Sequence, residues 1–145
     1  MSTHFDTELL DNLAMQISDG VVVVHKNEKT FIQSIEQHYP FGQSTIEWHK
    51  LTGMEHIDLR EIDNSLHPET RREFLDAIAL KSPELLNERV VVIGDGAIDL
   101  VYGMKFKDFV NLSEHFFTLP QHTYVWFPAS KKCINLTFRD ELYFG

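Results

Sequence analysis

The sequence predicts an α+β fold: a single domain spanning residues 1–145, mainly antiparallel sheet, with a C-terminal β-meander packed against helices. Three observations predict it. Helical and strand-like periodicities occur in blocks rather than in strict alternation, which argues against a parallel α/β sheet. Two β-rich runs flank Gly94-Asp95-Gly96 as a hairpin would. The chain closes on His122–Phe127, in which Tyr124 and Trp126 lie on one strand face and Val125 and Phe127 on the other. A strand apolar on both faces belongs in the middle of a covered sheet.

Each element has its own signal. Phe5, Leu9, Leu13 and Ile17 recur every four residues with Leu10 beside them, one face of a helix that Ser18-Asp19-Gly20 ends. Val21–His25 does not alternate and reads as a strand buried on both faces. Residues 26–29 form a polar turn, 30–36 are ambiguous between helix and strand, and Pro40 and Gly42 mark a break over 38–43. Ile46 and Trp48 share a face in a strand over 44–53, and 54–67 reads as loop or short strand. Pro68 opens a helix with Glu69 in its first turn and Phe74, Ala77 and Ile78 as its apolar stripe. Ser82-Pro83-Glu84 repeats the start signal for a short helical turn.

After the hairpin, Phe109, Leu112 and Phe116 define a helix that Asp108 can cap and Pro120 stops. Residues 128–131 are a turn. In 132–139, Ile134, Leu136 and Phe138 oppose Cys133, Asn135 and Thr137, and Leu142 and Phe144 continue the period of two. This meander has one apolar face, covered by the preceding helix.

Composition narrows the function. Against 13 Lys plus Arg stand 22 Asp plus Glu, a formal charge of −9 over 145 residues. Nucleic acid and anionic membrane are poor partners for such a surface, and a cationic protein is a good one. The one cysteine, Cys133, forms no internal disulfide, the N-terminus carries no secretory signal, and the longest apolar run is Val21–Val24. Together these predict a cytoplasmic protein.

No catalytic or ligand motif stands out. Gly94-Asp95-Gly96 lacks the strand-to-helix setting of a phosphate loop. Cys133 sits mid-strand as a small hydrophobe. The eight histidines show no metal-ligand spacing, and no cofactor is implied. Tyr39, Phe41 and Trp48 read as core rather than a stacking platform. The carboxylates Asp58, Glu61, Asp63, Asp95, Asp99, Asp140 and Glu141 read as solvated loop residues, suited to a binding surface rather than to acid–base chemistry.

The C-terminal third carries a resemblance. His122, Tyr124 and Trp126, then Cys133, Asn135 and Thr137 in a C-x-N-x-T strand, then Glu141, Leu142, Phe144 and Gly145 in an acidic-aromatic tail, resemble the end of small bacterial immunity proteins of contact-dependent growth inhibition and related polymorphic toxin systems. The resemblance implies a non-enzymatic protein that neutralises a cognate toxin domain, often a basic nuclease, by covering its active site or an exosite. It also implies that Trp126 and Phe144 build the sheet and that Asn135 and Thr137 bond locally. Contact residues do not carry over, and the seven carboxylates are the candidates. Two other readings remain: a small-molecule-binding sensory domain, from the PAS-like helix-then-strand start of 9–27, and a small hydrolase using Cys133 with His115 or His122.

Overall fold

The computed structural model describes residues 2–26, 28–42 and 45–145. Parts of the polar turn at 26–29, of the break at 38–43 and of the strand expected over 44–53 lie outside them. One antiparallel sheet of seven strands forms the frame: β1 Val23–His25, β2 Glu55–Asp58, β3 Arg89–Gly94, β4 Val101–Lys105, β5 Thr123–Phe127, β6 Lys132–Leu136 and β7 Glu141–Phe144. Their spatial order is β1-β4-β3-β5-β6-β7-β2. Among the described residues five α-helices accompany it: α1 His4–Asn12, α2 Ala14–Ser18, α3 Glu28–Glu36, α4 His67–Lys81 and α5 Phe106–Phe117. The fold is α+β. Among the described residues no helix is long and apolar enough to cross a membrane.

Strand β5 lies at the centre of the order and all five of its residues are buried. Its two apolar faces feed two cores. Val125 and Phe127 join Ile134, Leu136, Val90, Val92 and Met104 beneath α1, α4 and α5. Tyr124 and Trp126 join Cys133, Val91 and Ile93 beneath Ile35 of α3, Tyr39 and Trp48. The sheet is therefore covered on both sides. Burying each large apolar side chain stabilises the fold by about 1.5–3 kcal/mol relative to exposing it.

This corrects the reading of the meander as one-faced. Cys133 and Asn135 are as buried as Ile134. Asn135 is tolerated there because its amide is satisfied: Trp48 Nε1 donates to Oδ1 at 3.0 Å, and Nδ2 donates to the Thr123 carbonyl at 3.1 Å. That bond to Trp48 spans 87 residues, so Asn135 does not bond locally, whereas Thr137 Oγ1 does accept from the Glu141 amide at 3.1 Å.

Other elements differ from expectation for physical reasons. Residues Val23–His25 form an edge strand paired only to β4, and Val23 is exposed; only Val22 of the run is fully buried. The ambiguous segment is the helix α3. Residues Trp48–Lys50 form a 3₁₀ turn, which turns the Trp48 indole down onto Asn135. The expected single helix over 5–17 breaks at Leu13 into α1 and α2, yet Leu9 and Leu13 are buried as the periodicity requires. On α4 the inward face is Arg71, Leu75 and Ile78, and Ala77 is exposed. Arg71 is held by a bidentate pair to Glu114 of α5, at 2.6 and 2.8 Å. The α5 N-cap is Lys105 with no side-chain capping bond, so Asp108 lies inside the first turn rather than capping it.

The hairpin also differs. Strands β3 and β4 pair antiparallel, but the connection runs from Asp95 to Leu100 rather than turning on Gly94-Asp95-Gly96. Neither Gly94 nor Gly96 has a positive φ. Gly94 is required by space instead: a Cβ there would fall onto the side-chain amide of Gln121.

Candidate functional site

The register brings most of the candidate carboxylates to one end of the sheet. Gly94 pairs with Thr123, Thr123 with Leu136, Leu136 with Leu142, and Leu142 with Ile57. Asp95 and Asp99 follow Gly94, Asp140 and Glu141 precede Leu142, and Asp58 follows Ile57. These residues thus form a rim along the ends of five adjacent strands. Strand β1 ends at the same level, because His25 pairs with Val101, and it leads towards Glu28. Just beyond Asp58, Glu61 ends one 3₁₀ turn and Asp63 caps the next.

The carboxylates fall into two groups with different environments. At the β2–β7 edge, Asp58 stands opposite Glu141 in register, a like-charged cross-strand pair. Arg60 resolves the conflict. Its Nε and Nη2 donate to Asp58 at 3.0 and 2.8 Å, and Nη2 lies 3.8 Å from Glu141 Oε1. Tyr143 Oη donates to Glu141 Oε2 at 2.9 Å, and His56 Nε2 lies 3.4 Å from the same oxygen. The His56 ring stacks on Tyr143 at 4.3 Å, and Tyr143 stacks on Trp48 at 5.1 Å with the rings 2° from parallel. Burial and the bond to Glu141 push the Tyr143 phenol up to about 12.

The Arg60 hydrogen bonds hold Asp58 well below the usual carboxylate value of 3.8, at about 2. A depressed carboxyl keeps its pairing above its ordinary value and loses it as pH falls through the lowered one. An NMR titration of the Asp58 carboxyl carbon is therefore expected to show a midpoint near pH 2 in the wild type. Arg60→Ala should return that midpoint toward 3.8. An unchanged midpoint in the variant would mean that Arg60 does not set it.

The second group surrounds the β3–β4 loop. Asp95 is exposed and its Oδ1 accepts from the His122 amide at 2.8 Å. Asp99 is half-buried. Glu28 faces them: burial, then repulsion from Asp99, Asp6 and Asp95, raises its carboxyl, with Lys29 opposing. Between the two groups, Phe138, Arg139 and Asp140 form the exposed β6–β7 turn, with Asp140 at φ 60°. The turn is tied back by the Phe138 amide, which meets His122 Nδ1 at 3.2 Å.

Three of the seven carboxylates are less open than solvated loop residues. Asp58, Asp99 and Glu141 are half-buried, and Asp58 and Glu141 share Arg60. Glu61, Asp63, Asp95 and Asp140 are exposed, although Asp63 also accepts from the Ser65 amide and hydroxyl at 2.9 and 2.8 Å.

The residue that positions the loop group is Asp6, three residues before Leu9 and four before Leu10, and therefore on the apolar face of the first helix. It is fully buried. With Thr3 it forms a reciprocal capping box at the start of α1. Its carboxylate also reaches the β3–β4 loop, accepting from the Asp99 amide at 2.9 Å, the Leu100 amide at 3.4 Å and Tyr102 Oη at 2.6 Å. Burial alone would raise its carboxyl; these bonds and that from the Thr3 amide outweigh it and hold the group below the usual value. Buried Gln121 completes the frame, its Oε1 accepting from the Ala97 and Ile98 amides at 2.8 and 3.2 Å.

Cys133 is not placed as a nucleophile. It is fully buried in β6 opposite Trp126, and burial pushes its thiol far up. Among the described residues no group of three or more His, Cys, Asp or Glu side chains is arranged to hold a metal ion.

No protein-family model matches this chain, and neither a curated protein nor a solved structure matches it.

Proposed function

We propose that this chain is an immunity-type inhibitor that binds a cationic protein, a toxin domain such as a basic nuclease, through the acidic rim. The observation that carries the reading is the gathering of Asp58, Asp95, Asp99, Asp140 and Glu141 at one end of the sheet by strand register. A rim of carboxylates on rigid strand ends supplies what such an inhibitor needs: fixed negative charge where a basic cleft would otherwise hold phosphates, and a field that steers association. Loops held by Asp6 and Gln121 present that charge with little ordering cost on binding. The resemblance of the C-terminal third supports the same reading.

The partner to test is the C-terminal domain of a large secreted protein encoded beside this chain. Co-purification at a one-to-one ratio is expected, and Asp95→Lys with Asp140→Lys should weaken the complex by about a hundredfold, since reversing charges across an interface costs several kcal/mol. A complex indifferent to both substitutions would place the interface elsewhere.

A further inference from the structure

The opposite end of the sheet differs in charge and carries a cleft. Arg89 stands directly across from Lys105, Lys107 begins α5, and Lys131 and Lys132 lead into β6. These five cations are exposed, and among the described residues none of them makes an ion pair. In a chain of charge −9 this gathering of cations is a local departure, although Glu55, Glu88 and Asp108 share the same end. Like charges directly opposite one another on adjacent strands are destabilising, so the Arg89–Lys105 pair does not contribute to holding the sheet.

At this end, between α4 and the β7–β2 edge, lies a cleft of about 360 Å³. That is within the size range of small-molecule sites. Phe74, Ala77 and Ile78 of α4 form one wall, Phe144 of β7 lies across from them, and Lys81, Lys132 and Glu55 bring charge to it. Lys81 is neutralised by Glu55 at 3.0 Å. Lys132 is not; its Nζ lies 5.6 Å from the centre of the Phe144 ring. The cleft therefore offers apolar walls, with Gly145 beside Phe144 on its rim, and one cation, Lys132, that makes no ion pair among the described residues.

We infer that this cleft binds a small apolar anion, an aliphatic carboxylate whose chain lies between Phe74, Ile78 and Phe144 and whose head group meets Lys132. The anion's sign follows from Lys132, and its apolar body from the walls. The site is separate from the acidic rim, and it stands or falls independently of toxin binding.

Sodium octanoate, with 1-octanol as the uncharged probe, tests it by NMR titration of the full chain. Octanoate is expected to saturate with Kd below about 1 mM, moving the amides of Gly53, Ala77 and Phe144. Octanol should bind more weakly. Lys132→Gln should weaken octanoate about three- to fivefold, the worth of one exposed ion pair, and leave octanol unchanged. Ala77→Trp places a bulky ring in the cleft from an exposed position, so the fold should persist while both probes are lost. Arg89→Gln should leave both unchanged. Shifts centred elsewhere, no saturation by about 10 mM, equal binding by Lys132→Gln and the wild type, or an Arg89→Gln loss matching that of Lys132→Gln would each overturn the assignment.

Discussion

Asp6→Ala is expected to lower stability by about 3–5 kcal/mol. The carboxylate is fully buried and accepts from Tyr102 Oη and from the amides of Thr3, Asp99 and Leu100. Removing it leaves the buried Tyr102 hydroxyl and Leu100 amide, and the half-buried Thr3 and Asp99 amides, without their acceptor. Domains of this size are stable by only about 5–15 kcal/mol, so the loss is a large share of the total. The effect also has a pH signature. The Asp6 carboxyl lies below its ordinary value in the folded state. Its contribution is complete above that ordinary value and is lost as pH falls through the folded one. Urea unfolding at neutral and acid pH should show wild type and Asp6→Ala converging as pH falls. A loss below about 1 kcal/mol at pH 7 would remove Asp6 from its place as the anchor of the β3–β4 loop.

Gly94→Ala is expected to cost about 2–4 kcal/mol, for a different reason. The backbone there is one that alanine can adopt, because its φ is not positive. The new methyl would meet the Gln121 amide, which must move away and abandon the Ala97 and Ile98 amides. A double-mutant cycle separates the causes. Gln121→Ala alone should cost about 1–3 kcal/mol for the stranded donors, and Gly94→Ala should add little once the amide is gone. Additive costs would mean that Gly94 is needed for its conformation rather than for space. Since both residues shape the loop carrying Asp95 and Asp99, either variant should also weaken partner binding.

Much of this architecture was legible from local pattern. The apolar spacing of Leu9 and Leu13, the Pro68 start of α4 and the two-sided run Tyr124–Phe127 each report on their own segment, and each appears in the structure where expected. What local pattern missed depends on contacts far apart in the chain. Trp48 looked like a strand residue because nothing nearby reveals that its indole pairs with Asn135. Val21–His25 looked central because an edge strand can also be apolar when α3 packs beside it, as the His25–Phe31 contact shows. Asp6 carries no local signal of its partners, because only the returning β3–β4 loop makes a buried carboxylate tolerable.

The seven carboxylates illustrate the same division. Their residue types could be read directly, but Asp58 ends β2 and Glu141 opens β7 rather than lying in loops. That strand register would draw most of them to one end, and that Arg60 would bind two of them, required the order β1-β4-β3-β5-β6-β7-β2. Glu28 reads locally as part of the polar turn 26–29, yet it opens α3; a Glu opening a helix after a strand end is the signal that finds it.

The most direct test of the rim is the association rate with the proposed partner, the C-terminal domain of a large secreted protein encoded beside this chain, followed by stopped-flow fluorescence at low and high salt. Steering by the acidic rim predicts an association rate falling at least tenfold between about 20 mM and 500 mM salt, with the slope flattened in the Asp95→Lys, Asp140→Lys double variant. A rate that does not change with salt, or a slope the double variant leaves intact, would contradict the assignment of the rim as the binding surface.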